Sequence, residues 1–393
     1  MRTKVKVAVS LVLFFLLMPA FIRAQVKTGA EDVDAYFSLL MGKNIGVVAN
    51  NASVVRNVNV VDFLLKEGFA VKRIFSPEHG FRSSADAGQA VHDTLDPATG
   101  IQIRSLYGAK KKPAPADLAG LDMVVFDIQD VGVRFYTYIS TLAYVMEACA
   151  ESKIPVIILD RPNPNGFYVD GPVLEKEYTS FVGLHPVPVV YGMTIGEYAC
   201  MVNGEGWLKN KVRCNLRVIR LGNYTHDSLC SLPVKPSPNL PGINAVYLYP
   251  SLCFFEGTII SVGRGTVFPF EAIGHPGWNS QTFSFTPHRN SGGSLHPPYE
   301  GQECRGMDLR RYFPDHPEMR GKIILTWLIE AFNDFKADSA FFTPYFNKLA
   351  GNSTLQQQIK QGKSEKQIRE SWRIGLDKFR KIRAKYLLYE GSR

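Results

Sequence analysis

The chain has 393 residues, 45% of them apolar and 21% charged. That composition excludes a disordered or fibrous protein, and the length predicts two domains or one domain with a large appendage. The formal charge of +9 includes Arg2, Lys4, Lys6 and Arg23 from an acid-free stretch 1–24, leaving 9 − 4 = +5 beyond it; with no basic-aromatic pattern, nucleic acid is excluded as an expected partner.

Residues 1–24 combine that charged start with an apolar core from Val7 to Met18 and a small residue, Ala24, before Gln25. This pattern predicts a cleaved secretory signal peptide, hence an exported protein, periplasmic or secreted. The apolar run is short for a bilayer span of about 20 residues. No later stretch is long and apolar enough, so no membrane span is expected after cleavage.

Asp32 to Leu40 predicts a helix, and Asn44 to Asn50 a first strand. Val60 to Glu67 is helical and stops at Gly68, and Val71 to Phe75 is a second strand running into Ser76-Pro77-Glu78-His79-Gly80-Phe81. Ile101 to Leu106 is a short strand ending at Tyr107-Gly108, and Pro115 to Gly120 a short helix. Met123 to Ile128 is a buried strand, followed by polar groups and a helical period from about Tyr136 to Ser152. Pro155 to Leu159 is the next strand, ending in Asp160-Arg161-Pro162-Asn163. The alternation predicts an α/β fold: a Rossmann-like, doubly wound, mostly parallel sheet. Its near-continuous apolar strands are those of a sheet covered on both faces. There is no G-x-G-x-x-G after the first strand, so no dinucleotide is expected. The six cysteines form no C-x-x-C and no zinc-like Cys/His spacing; no metal and no cofactor are expected. Export allows disulfides, whose pairing the spacing does not define.

Ligands of open α/β sheets bind beyond the carboxyl ends of the strands. The first strand delivers Asn50 there, the second Glu78 and His79, the strand at 123–128 Asp127, Gln129 and Asp130, and the next Asp160, Arg161 and Asn163. Arg134, Tyr136 and Tyr138 follow in the same segment. Any one of these can be a turn former, and Asp127 and Asp130 can be caps. Four polar strand ends in a row point to a shared ligand site.

The second half is less regular. Met193 to Glu197 opens a helix, with Thr194 as N-cap and Glu197 as its capping-box partner. Val212 to Leu221 alternates like a strand. Lys235 to Pro241 is a proline-set loop that presents Asn239. Glu256, Arg264 and Glu271 follow among glycine-rich turns. Residues 275–304 are rich in Gly, Pro, Ser and His and predict a linker or long surface loop. Glu318 to Phe335 and Ser364 to Tyr386 read as amphipathic helices, with Trp372 a core anchor. The expected division is a signal peptide at 1–24, a catalytic domain at 25–272 and a smaller α/β auxiliary domain at 273–393.

Glu78 is the sharpest candidate for chemistry. Pro77 sets the backbone before it, Gly80 permits a tight turn after it, and Phe75 and Phe81 shield it. A shielded carboxyl suits proton transfer. Asp127, Asp130 or Asp160 is a candidate second carboxylate, as glycoside hydrolysis commonly needs a pair. Arg134, Arg161 and Arg264 can fork onto a substrate carboxylate. His79 can be a binding group or a structural histidine.

Three motifs, Ser-Pro-Glu-His-Gly-Phe (76–81), Phe-Asp-Ile-Gln-Asp-Val-Gly-Val-Arg-Phe-Tyr-Thr-Tyr (126–138) and Leu-Asp-Arg-Pro-Asn-Pro (159–164), resemble the exo-β-N-acetylmuramidases of the NamZ type. Gly-Met-Thr-Ile-Gly-Glu (192–197), Pro-Ser-Pro-Asn-Leu-Pro (236–241), Glu-Gly-Thr (256–258), Gly-Arg-Gly-Thr (263–266) and Pro-Phe-Glu (269–271) are similar to the same family, in order. Asn50-Asn51-Ala52-Ser53 departs from the Thr-Asn-Pro of many members. The resemblance implies an exported glycoside hydrolase that removes terminal N-acetylmuramic acid from the non-reducing ends of peptidoglycan fragments. It implies a cleft between two domains and Glu78 as catalytic glutamate. Tyr136 or Tyr138 and a rim aspartate, Asp130 foremost, are then the assisting groups, and the other rim residues bind muramyl saccharides. The rival expectation is a non-catalytic binding protein for the same sugars. An esterase or amidase is a third, against which the absent Ser-His-Asp elbow and metal ligands count.

Overall fold

The computed structural model describes residues 25–82, 92–290 and 292–391. The expected signal peptide at 1–24 lies outside the described residues.

Six parallel strands carry the frame: β1 (Asn44–Ala49), β2 (Ala70–Ser76), β4 (Gln102–Ser105), β5 (Met123–Asp127), β6 (Val156–Leu159) and β7 (Leu216–Ile219). A short antiparallel strand, β3 (Thr94–Leu95), edges the sheet, giving the order β3-β4-β2-β1-β5-β6-β7. Leaving out β3, this is the doubly wound order, which reverses between β1 and β5.

Both sheet faces are covered, and the period-2 alternation divides the strands between two cores. Val124 and Phe126 of β5 and Val156 and Ile158 of β6 join one apolar cluster. Met123, Val125, Ile157 and Leu159 join the other. The second cluster is closed by α1 (Val60–Lys66) and by the segment from Ala30 to Leu40. The first takes α2 (Tyr138–Glu151), α3 (Ile195–Gly204) and α4 (Ile243–Leu252).

That first cluster continues into the smaller C-terminal α/β portion. A three-stranded antiparallel sheet is built from β8 (Ala272–His275), β9 (Phe283–Phe285) and β10 (Cys304–Asp308), in the order β8-β10-β9. So the Gly/Pro-rich stretch expected as a linker carries a strand, with Phe285 and Cys304 buried. Helices α5 (Thr326–Asp334), α6 (Tyr345–Ala350), α7 (Thr354–Lys360) and α8 (Glu365–Arg383) follow. The helix expected over 318–335 is halved, because Gly321 takes φ +91° and the chain turns there. α8 starts at Ser364, whose hydroxyl accepts from Gln367 N, and its Trp372 is buried as expected. Helix α4 has no periodic signal, since it is apolar on nearly every side and buried there. The six cysteines are free thiols.

Candidate active site

The turn after β2 sets the site. Gly80 N donates to Pro77 O at 3.1 Å, and both His79 (φ +73°) and Gly80 (φ +82°) occupy the left-handed region. Glycine adopts that conformation freely, and a histidine is held there by its surroundings. The turn lifts Glu78 to the carboxyl edge of the sheet, half-buried. Its Oε2 accepts from Thr137 Oγ1 at 2.7 Å, at the start of α2. Tyr107, just beyond β4, stands beside Glu78; burial first, and then that carboxylate, push its pKa above the ordinary tyrosine value. Tyr107 therefore keeps its proton.

Glu78 faces a cavity of about 530 Å³, a size suited to one or two sugar rings. His79, Tyr136 and Asn239 line it with Glu78, and Glu256 and Arg264 stand in its wall together with Tyr249, Phe270 and Tyr345. Tyr136 donates to Pro236 O at 2.7 Å and lies edge-on to Tyr138, their rings 4.7 Å apart. Tyr138 is buried and accepts from Asn50 Nδ2 at 3.0 Å. The two tyrosines thus hold the proline loop that brings Ser237 and Asn239 over the cavity. Asn239 Nδ2 ties the loop to Gly293 O at 2.7 Å. Glu256 and Arg264 pair at 2.6 Å.

The remaining rim residues do not line this cavity, and Gln129 and Arg161 line a second one, of about 440 Å³. Arg161 donates to both oxygens of Asp127, at 2.6 and 2.8 Å, and both side chains are buried. Burial raises the Asp127 pKa and Arg161 opposes the rise. Asp160 accepts from Thr194 Oγ1 at 2.7 Å, Gly196 N at 2.9 Å and Tyr389 Oη at 2.6 Å, joining β6, α3 and the chain's end. Glu197 is the capping partner of Thr194, as expected. Gln129 donates to Asp130 O and Pro162 O, Asn163 donates to Met193 O, and Glu271 accepts from Asn244.

Two expectations are corrected by these contacts. Asp130, expected as a second carboxylate, is 4% exposed and accepts from Tyr191 and from Gly132 N, outside the cavity. Arg134, expected as a clamp for a substrate carboxylate, is fully buried. It donates to Pro172 O and Val187 O at 2.8 Å, and to Leu349 O and Ala350 O at 2.9 and 2.8 Å. The last two are unsatisfied carbonyls at the C-terminus of α6, whose first residue is Tyr345. Arg134 therefore anchors a wall of the cavity from behind.

A family model for the N-terminal part of the exo-β-N-acetylmuramidase NamZ matches residues 45–244, and one for its C-terminal part matches residues 247–389. The chain belongs to the NamZ exo-β-N-acetylmuramidase family. The peptidoglycan β-N-acetylmuramidase NamZ of Bacillus subtilis (strain 168) is 38% identical to it over 392 residues, 93% of this chain and 92% of that protein. A crystal structure of a DUF1343 family protein from Bacteroides fragilis NCTC 9343 is 43% identical, with a TM-score of 0.87 over 94% of this chain and 100% of the other. A second such protein from that organism is 27% identical, with a TM-score of 0.78 over 93% and 99%.

The cavity lies where the two NamZ segments meet. Glu78, Tyr107, Thr137 and Asn239 come from the first, and Tyr249, Glu256, Arg264, Phe270 and Tyr345 from the second. Sequence reasoning missed Tyr107, Lys111, Thr137, Ser237, Tyr249 and Tyr345 as lining residues. Tyr107 had a signal, because it ends a predicted strand. Thr137 and Ser237 lie inside motifs already singled out. Tyr249 and Tyr345 sit in apolar helical stretches with no local mark of function.

Proposed function

We infer that the protein is a glycoside hydrolase of the exo-β-N-acetylmuramidase type, releasing terminal N-acetylmuramic acid from the non-reducing ends of peptidoglycan fragments. The observation that carries the site assignment is Glu78, a carboxyl at the cavity wall with Thr137 as hydrogen-bond partner and Tyr107 beside it in the lining. Family membership and the likeness to the B. subtilis peptidoglycan β-N-acetylmuramidase support the reaction.

In this reading Glu78 is the general acid that delivers a proton to the glycosidic oxygen. Thr137 holds its carboxyl group toward the bond. Tyr136, its hydroxyl committed to Pro236 O, acts as a positioning residue for the loop carrying Ser237 and Asn239. Asp130 supports the same segment through Gly132 N. Asn239 and Tyr249 offer polar groups that match sugar hydroxyls. Export fits a cell-wall substrate and rests on the charged start, apolar core and small residue of stretch 1–24.

Incubation with a muramyl disaccharide, followed by mass spectrometry, tests the activity. Free N-acetylmuramic acid is expected, and an unchanged disaccharide would leave a binding protein instead. N-terminal sequencing of the protein recovered from producing cells tests export, with a new terminus near Gln25 expected.

A further inference from the structure

Three arginines stand near the rim, and of these only Arg264 lines the cavity that Glu78 faces. Arg134 is spread over four carbonyls, and Arg161 is held by Asp127 and by Val54 O and lines a different cavity. Arg264 differs. It lines the cavity, its side chain 18% exposed. Its Nε donates to Glu256 Oε1 at 2.6 Å, and that is the one hydrogen bond the side chain makes among the described residues. Nη1 is buried without a partner. The guanidinium carbon stands 5.1 Å over the Phe270 ring. Glu256 thus holds one edge, Phe270 covers a face, and the edge formed by the two terminal nitrogens is unspent.

A guanidinium edge presents two parallel N–H groups that match the two oxygens of a carboxylate. A buried N–H without a partner is costly, and a ligand that reaches it recovers that cost. Glu256 sits on the Nε side, so a second carboxylate at the far edge is kept apart from it. Lys111 also lines the cavity, its ammonium 5.1 Å above the Phe181 ring. A point charge on a flexible stem attracts an anion without orienting it.

We propose that Arg264 receives the lactyl carboxylate of the terminal muramic residue on its Nη1–Nη2 edge, and that this contact separates muramic from glucosamine sugars. The proposal rests on the reading above that the cavity takes a muramic residue. The lactyl ether is what distinguishes the two N-acetylated sugars, so a site that grips its carboxylate selects for it.

Calorimetric titration of the full chain with N-acetylmuramic acid, with its methyl ester and with N-acetylglucosamine tests this apart from catalysis. The acid should bind about tenfold or more tighter than the ester or the glucosamine, the size of one charge-assisted contact. Arg264→Gln should bring the three ligands to within about twofold of one another by removing that contact. Arg264→Lys keeps the charge and loses the fork, so it should retain less than about a third of the preference. If Arg264→Gln does not fold, the lysine variant decides alone. An acid preference left intact by either folded variant overturns the proposal. So does a wild type that binds acid and ester alike, or a preference lost in Lys111→Ala and kept in Arg264→Gln. Disaccharide turnover is measured beside it: an inactive protein that still prefers the acid through Arg264 refutes hydrolysis and supports the carboxylate contact.

Discussion

Thr137 donates its hydroxyl to Glu78 across 2.7 Å, joining the loop after β2 to the start of α2. The two residues are 59 positions apart in the chain. Parallel strands bring them together, since β2 and β5 flank β1 and all three end on the same side.

Removing either partner tests that contact. Glu78→Gln should lower kcat on a muramyl substrate by about 10²–10⁴-fold with the fold retained, the range of general acid catalysis. Thr137→Val keeps shape and loses the hydroxyl, and should lower kcat about tenfold with KM little changed. Steady-state kinetics with circular dichroism as a fold check reads both. Near-normal turnover by Glu78→Gln would remove it from the reaction.

Arg134 should be more important to stability than to substrate charge. Lysine has three donors on one nitrogen and cannot span the four carbonyls that the guanidinium reaches. Arg134→Lys should cost about 2–4 kcal/mol, because buried carbonyls lose a charged donor. Urea unfolding measures it. The variant's preference for a carboxylate-bearing sugar should be unchanged, which separates its role from that of Arg264.

The buried Asp127–Arg161 pair should respond steeply to removal of one partner. Arg161→Met leaves a buried carboxyl without its counter-charge, and the expected loss is about 3–5 kcal/mol. Asp127→Asn with Arg161→Met should recover part of that loss. A double-mutant cycle by urea unfolding tests this, and simple additivity would show that the two side chains do not couple.

Burial pushes both Asp130 and Asp160 up to about 6, against the hydrogen bonds that favour their ionised forms. A carboxyl with a raised folded pKa still holds its proton where the unfolded chain, at about 4, has lost it. Folding then takes up protons, so stability from these groups is greatest below about pH 4 and falls as pH rises through about 6. Asp130→Asn should flatten that slope. Its amide oxygen can accept from Tyr191 and Gly132 N, and its amino group fills the place of the unpartnered Oδ1. Urea midpoints measured from pH 4 to 7 decide, and an unchanged slope would clear Asp130 of the effect.

Local features made most of the frame legible. β5 reads as a buried strand because Met123 to Phe126 are apolar without interruption, and both its faces are in fact covered. Thr194 and Ser364 start α3 and α8 through side chains that accept from their own helices. The helix across 318–335 failed at one residue, Gly321, whose left-handed backbone outweighs the apolar spacing around it. The strand in the Gly/Pro-rich stretch was hidden because β9 is three residues long and gains its hydrogen bonds from β10 alone.

The sequence by itself determined which residues arrive at the carboxyl edge, since strand ends and turns depend on near neighbours. It could not say which of them face the cavity. Arg134, Arg161 and Arg264 look alike in a string of letters. What separates them is whether backbone carbonyls or carboxylates from distant segments have already taken their donors. Arg134 found four carbonyls, two of them more than 200 residues away. Arg264 found one glutamate, and its two terminal nitrogens took no protein partner among the described residues. Hydrogen-bond satisfaction is a property of the whole packed chain, so that decision belonged to the tertiary structure.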